Sequence, residues 1–168
     1  MSTKELDIAS MMRQGMRRLA SGIVIVSAND AAGKPYAMTA SSITSISDKP
    51  PSLLVCVNHS ARMNAAMAAT DYFSVNILDE SHQAVSTICA DPSRIDSRFT
   101  VGKWIKDQES DLHILEDAVA TFICAKKNSI DHGTHTIYIG DICSARVSNT
   151  KKRALIYLDG AYHFLGNL

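Results

Sequence analysis

The sequence predicts a mainly β fold with short helices, arranged as a closed or split antiparallel barrel. Three observations carry that expectation. After residue 20 most apolar runs have strand length and strand composition, as at residues 23–26, 52–57 and 72–78. The helical segments between them are short and do not alternate regularly with strands, which excludes a doubly wound parallel sheet. Turn signals at residues 29–34, with Gly33, and at Pro50-Pro51 join neighbouring strands directly, as antiparallel hairpins require.

Each element follows from local chemistry. Asp7 caps a helix in which Ile8, Met11, Met12, Met16 and Leu19 recur at steps of three and four, and Gly22 ends it. Residues 23–26 then read as a buried strand. Residues 34–47 are filled with small side chains and hydroxyls, among them Thr39, Ala40, Ser41, Ser42, Thr44 and Ser45. They are expected beside the buried strand 52–57 in a meander. Residues 60–70 are rich in Ala and Met and helical, with Ser60 as N-cap. Residues 72–78 alternate as a strand and 81–90 form a short helix. Residues 91–108 are polar and aperiodic and carry Pro92 and Gly102, a pattern that predicts a long surface loop. Strands at 119–127, 134–147 and 154–159 complete the chain.

A length of 168 residues fits one domain, taken as residues 1–168. A hydrophobic fraction of 46% and a charged fraction of 20% are those of an ordinary soluble protein. Seventeen basic residues balance 17 acidic ones, so no long-range field draws nucleic acid or an anionic membrane. No apolar run approaches the length of a membrane span, and the N-terminal residues carry acids early with no apolar signal core. A cytoplasmic location is expected. Cys56, Cys89, Cys124 and Cys143 are widely spaced among apolar neighbours; buried free thiols are expected, and no metal site.

Four stretches can carry chemistry. Small side chains over residues 38–42 let a flat ligand approach the backbone, whose N–H and C=O groups become the recognition surface. A solvated Ser/Thr face is the duller alternative. Asn58-His59-Ser60 precedes a helix start, where unpaired N–H groups suit phosphate and Arg62 can reach the same anion. Simple capping is the alternative there. His132 and His135 flank Gly133-Thr134 at a strand mouth; surface histidines are the default, and the pair lacks a third metal ligand. Arg94, Arg98 and Phe99 can fold over a nucleotide or simply be solvated, while Tyr157 and Tyr162 can be pocket, interface or core aromatics. No nucleophile elbow, phosphate-binding Gly-rich loop or zinc-protease signature is present.

Read together, these pieces resemble the short-chain flavin reductases, the FMN-binding split barrels that serve two-component monooxygenases. The likeness runs from about Met16 to Phe164. It rests on residues 16–27, on Pro35-Tyr36-Ala37-Met38-Thr39-Ala40-Ser41-Ser42, and on Pro50-Pro51 followed by Leu53-Leu54-Val55-Cys56-Val57-Asn58. It continues through Phe73-Ser74-Val75-Asn76-Ile77-Leu78 and Gly133-Thr134-His135 before Tyr138-Ile139-Gly140-Asp141-Ile142. The wording is most similar to reductase components of 4-hydroxyphenylacetate and phenol hydroxylases. Two departures stand out: Thr134 replaces an Asp usual before the histidine, and Met16-Arg17 replaces an aromatic–arginine pair.

The resemblance implies an NAD(P)H:flavin oxidoreductase that reduces FMN or FAD and supplies free reduced flavin to a separate oxygenase component. It places Met38, Thr39, Ala40, Ser41 and Ser42 along the flavin ring, with Cys56, Val57 and Asn58 flanking it. Ser60, Arg62 and Met63 would hold the ribityl phosphate, and Arg98 and Phe99 would cover the phosphate or adenine side. His135, with Tyr162 nearby, would hold the nicotinamide of NADH or NADPH over the flavin. The flavin itself accepts the hydride, so the protein's part is placement. A homodimer with a shared site is expected. A flavin-binding electron-transfer or storage module without nicotinamide turnover is the alternative, and a split-barrel relative acting on pyridoxine phosphate or a cobalamin is a third.

Overall fold

A computed structural model describes residues 7–165. The ends of the expected 1–168 domain, residues 1–6 and 166–168, lie outside the described residues. Helix α1 (Ile8–Arg17) leads into strands β1 (Ser21–Gly22), β2 (Val24–Asn29) and β3 (Pro35–Ala40). Next come β4 (Ile43–Asp48), β5 (Pro51–Asn58), α2 (Arg62–Ala69) and β6 (Tyr72–Ile77). A 3-10 turn (Glu80–His82) runs into α3 (Gln83–Ala90), and a second (Ile95–Thr100) precedes β7 (Trp104–Lys106) and β8 (His113–Leu115). The long pair β9 (Ala120–His132) and β10 (His135–Val147), then β11 (Leu155–Leu158) and β12 (Ala161–Phe164), complete the fold. No described helix is long and apolar enough to cross a membrane.

Seven strands form one antiparallel sheet in the order β3-β2-β6-β9-β10-β5-β4. Its two outermost strands, β3 and β4, are joined by only Ser41 and Ser42. Three Cα steps span at most about 11 Å, so the sheet curls until its edges meet at that corner. The Ser42 carbonyl accepts from the Cys56 N–H at 3.1 Å, fixing the corner to β5. The mainly β, barrel-like expectation is met.

The unbroken apolar run at residues 23–26 has a physical reason. Val24, Val26 and Ala28 face one core with Val55, Val57, Phe73, Tyr138 and the α2 residues Met63, Ala66 and Met67. Ile23 and Ile25 face a second core with Leu78, Val85, Ile88, Cys89 and Leu155. A strand covered on both faces has no polar positions to alternate. Where β10 crosses Phe73, Gly140 is required: a Cβ there would lie 2.7 Å from the Phe73 ring and 2.8 Å from Cys124 Cβ.

Several local expectations are corrected. Helix α1 ends at Arg17 rather than Gly22, because the Arg17 carbonyl accepts from the Asp159 N–H at 2.7 Å, between β11 and β12. The segment 34–47 is two strands rather than one, and only β4 pairs with β5. Ser60 does not cap α2. Its N–H and hydroxyl both donate to Asn58 Oδ1, at 2.9 and 2.8 Å, so the helix begins at Arg62 after an Ala61 cap with no side-chain bond. The supposed surface loop 91–108 contains a 3-10 turn and β7, and its Arg98 is buried. His132 and His135 sit directly opposite each other across the β9–β10 turn. Of the four free cysteines, Cys89 and Cys124 are buried, Cys56 is half-buried and Cys143 is exposed.

Candidate functional site

Strand β3 closes one edge of the large sheet, pairing with β2 on one side only. The outward N–H and C=O groups of an edge strand lack ladder partners, although on β3 the Ala37 carbonyl is taken by Arg98. Beside this edge lies a cavity of about 460 Å³, within the size range of small-molecule sites. Its walls come from six parts of the chain: Ile23 ahead of β2; Met38, Thr39, Ala40 and Ser41 from β3 and its corner; Ser60, Ala61, Arg62 and Met63 around the start of α2; Cys89, Ala90 and Pro92 at the end of α3; Ile95 and Arg98 from the second 3-10 turn; and Tyr157 and Tyr162 from the last hairpin.

Hydrogen bonds fix these walls to one another. The Thr39 hydroxyl donates to the Ser86 carbonyl at 2.6 Å, and the Ser86 and Tyr162 hydroxyls are bonded at 2.8 Å. Tyr157 meets Tyr162 edge-on, ring centres 5.3 Å apart. Arg98 donates through Nη1 to the Ala37 carbonyl and through Nη2 to the Asp91 carbonyl. Its Nε has no partner among the described residues. Burial lowers the Arg98 pKa from its ordinary value; Cys89 and the Asp91 carboxylate act against that, and nearby Arg62 acts with it. Burial also pushes the Cys89 thiol up to about 12, against the pull of the Arg98 charge.

The cavity therefore brings together nine of the sequence-predicted residues: Met38, Thr39, Ala40, Ser41, Ser60, Arg62, Met63, Arg98 and Tyr162. Ser42, Cys56, Asn58 and His135 lie outside its lining. Ser42 and Cys56 hold the β3–β4 corner together, and Asn58 is taken up by Ser60. His135 opens β10 opposite Asn58, exposed, with Nδ1 2.9 Å from the Thr134 hydroxyl. Val57 is wholly buried in the first core, and Phe99 packs edge-on against Trp104 at 4.8 Å, so neither reaches the cavity. Cys89 and Ile95 were missed, since nothing in their local sequence separates a cavity wall from a core. Tyr157, weighed as a pocket aromatic, does line the cavity.

The residues present suit a flavin. Two guanidinium groups line the cavity with no Asp or Glu among the lining residues, one buried N–H is unpartnered, and the edge strand β3 supplies one wall. An anionic, planar, hydrogen-bonding ligand answers all three.

Comparison with known proteins agrees. The flavin reductase like domain matches residues 16–166. An NADH-dependent FMN reductase, RutF, of Variovorax paradoxus is 34% identical over 151 residues, 90% of this chain and 82% of that protein. The reductase component of an FADH(2)-dependent resorcinol hydroxylase of a Rhizobium species is 31% identical over 156 residues, 92% of this chain and 86% of that protein. The NADH:FAD oxidoreductase of Streptomyces globisporus, solved with NAD and FAD fragments, superposes with a TM-score of 0.87 at 25% identity, covering 98% of both chains. The chain belongs to the flavin reductase-like domain family.

Proposed function

We propose that this chain is an NAD(P)H:flavin oxidoreductase that reduces FMN or FAD and releases the reduced flavin to a separate oxygenase component. The observation that carries it is the acid-free cavity with two arginines set against the free edge of β3. When bound, the flavin ring supplies the hydride-accepting chemistry. The chain's own residues would bind and orient it: the backbone at Met38–Ser41 would hold the ring system, and Arg62 with the start of α2 would attract the phosphate. Tyr157 and Tyr162 form an aromatic wall for a second ring. His135, opposite Asn58, would hold the nicotinamide. The test is oxidation of NADH by the purified protein with and without added FMN. Turnover that requires flavin supports the reading, whereas tightly retained flavin with no NADH oxidation supports the storage alternative.

The reading includes a homodimer. Helix α1 buries none of its residues, and its Ile8, Met11, Met12 and Met16 share one apolar face, Ile8 83% and Met12 57% exposed. The chain also presents an apolar groove lined by Leu19, Val24, Ile43, Leu53, Phe122 and Ile142. A second copy supplies what each surface lacks, each helix covering the other's groove. Ser41 lines both groove and cavity, so the partner adjoins the ligand site. Sedimentation at micromolar concentration tests this: a species of twice 18.2 kDa is expected, and a sole monomer contradicts it.

A further inference from the structure

We infer that Thr136 and Asp131 are positioning residues that dock the tip of the β9–β10 hairpin, and His135 with it, onto the start of α2 beside the ligand cavity. This goes beyond the reading above and rests on the nicotinamide role given to His135 there. The hairpin needs such a tie. Strand β9 pairs with β6 only as far as Ala125, and residues 127–135 are all exposed. Past Ala125, β10 is the one strand partner of β9 among the described residues. Strand β10 in turn meets β5 no further than His135 opposite Asn58. A two-stranded ribbon is marginal by itself, so backbone pairing alone aims the tip poorly.

One short segment lines the cavity and holds the tip at once. Ser60, Ala61, Arg62 and Met63 are in the cavity wall, and the residues on either side of them, His59 and Asn64, grip the hairpin. The His59 N–H donates to the Thr134 carbonyl at 2.9 Å. Asn64 Nδ2 donates to the Thr136 hydroxyl at 3.0 Å, and that hydroxyl donates to Asp131 Oδ1 at 2.6 Å, the length of a bond to a charged acceptor. Thr136 is only 5% exposed, so this chain of bonds starts inside the fold. Asn64 is fixed independently: its side chain also donates to the Val57 carbonyl, and its own carbonyl accepts from the Tyr138 hydroxyl. His59 Nε2 lies 3.4 Å from the same Asp131 oxygen, but both side chains are open to water and such a pair adds little. The Thr136 bond does more than His59 to hold the Asp131 carboxyl below its usual range, against the opposing effect of burial. Thr136 therefore joins both strands of the hairpin to the first turn of α2, and placement is what the chain contributes to hydride transfer.

The test compares the KM for NADH with the dissociation constant of FMN in variants of the full chain. Thr136→Val keeps the side-chain shape and removes the hydroxyl, so it should raise the KM for NADH about three- to tenfold. FMN binding should stay near wild type, because Asn64 keeps its bonds to Val57 and Tyr138. Thr136→Ser should restore the wild-type KM. Asp131→Ala, at an exposed side chain, should reproduce the loss, and it carries the comparison should the valine variant fail to fold. Since both residues act through His135, adding either change to His135→Ala should raise the KM no further than His135→Ala alone. Losses that multiply with that of His135→Ala, or equal weakening of FMN and NADH, overturn the positioning role. A KM raised by His135→Ala but unchanged in a folded Thr136 or Asp131 variant overturns it alone. A KM unchanged by His135→Ala itself overturns the nicotinamide reading, and this inference with it.

Discussion

Tyr162 and Ser86 share a 2.8 Å hydrogen bond between their hydroxyls, and through it the C-terminal hairpin is tied to the helix behind the cavity. The Ser86 carbonyl in turn accepts from Thr39, so β3, α3 and β12 are linked by two side-chain bonds. Tyr162→Phe removes one link and leaves the wholly buried Ser86 hydroxyl without its partner. The expected cost is about 1–3 kcal/mol of stability, read by urea denaturation. Because Tyr162 also lines the cavity, weaker ligand binding should accompany it. Full stability in the phenylalanine variant would show that the bond is not a structural tie.

Replacing His135 separates the two ligands. It stands opposite Asn58, two residues before the cavity-lining Ser60. His135→Ala should raise the KM for NADH about tenfold, the loss of roughly one hydrogen bond, while the dissociation constant of flavin stays near wild type. Equal weakening of both ligands would contradict the nicotinamide role.

Gly140 leaves no room for a side chain. A Cβ there meets the fully buried Phe73 ring and Cys124, neither of which has space to retreat. Gly140→Ala should destabilise by about 1–3 kcal/mol through overpacking, measured as a lower denaturation midpoint. An unaffected midpoint would mean that the core yields.

Two aspartates around His82 should contribute to acid sensitivity. Burial opposes ionisation of Asp79, but hydrogen bonds from Ser81 and Lys152 and the charge of His82 outweigh it and hold its carboxyl below the usual range. Asp117 is likewise opposed by burial and held low by the hydrogen bond and charge of His82, 3.0 Å away. With folded pKa values depressed, the unfolded chain binds more protons between the folded and unfolded values. Stability is therefore fully present above the unfolded value near pH 4 and falls as pH drops through the folded ones. Urea titrations from pH 6 down to pH 3 should show that loss, and Asp117→Asn should flatten it. An identical slope in the variant would remove Asp117 from the account.

Much of this fold was legible because its signals are local. The Asp7 cap, the hairpin around Gly33 and the doubly covered strand at residues 23–26 depend on neighbours in sequence, and each was read correctly. What escaped depends on long-range capture. Ser60 looks like a cap until Asn58 takes it, and α1 looks longer until Asp159 takes the carbonyl of Arg17. Strands β7, β8 and β12, at three or four residues, are too short for any period to show. In the site, the hydroxyl-rich segment and Arg62 were visible as residue types. The burial of Arg98 was not, since a polar stretch gives no hint that Ala37 and Asp91 will take its guanidinium inward.

The most direct measurement is anaerobic stopped-flow mixing of the protein and FMN with NADH, following the visible flavin absorption band. Loss of that band in proportion to protein concentration, and far faster than without protein, is the predicted result. A rate independent of the protein, with flavin shown separately to be bound, would contradict the assignment as a nicotinamide-dependent flavin reductase.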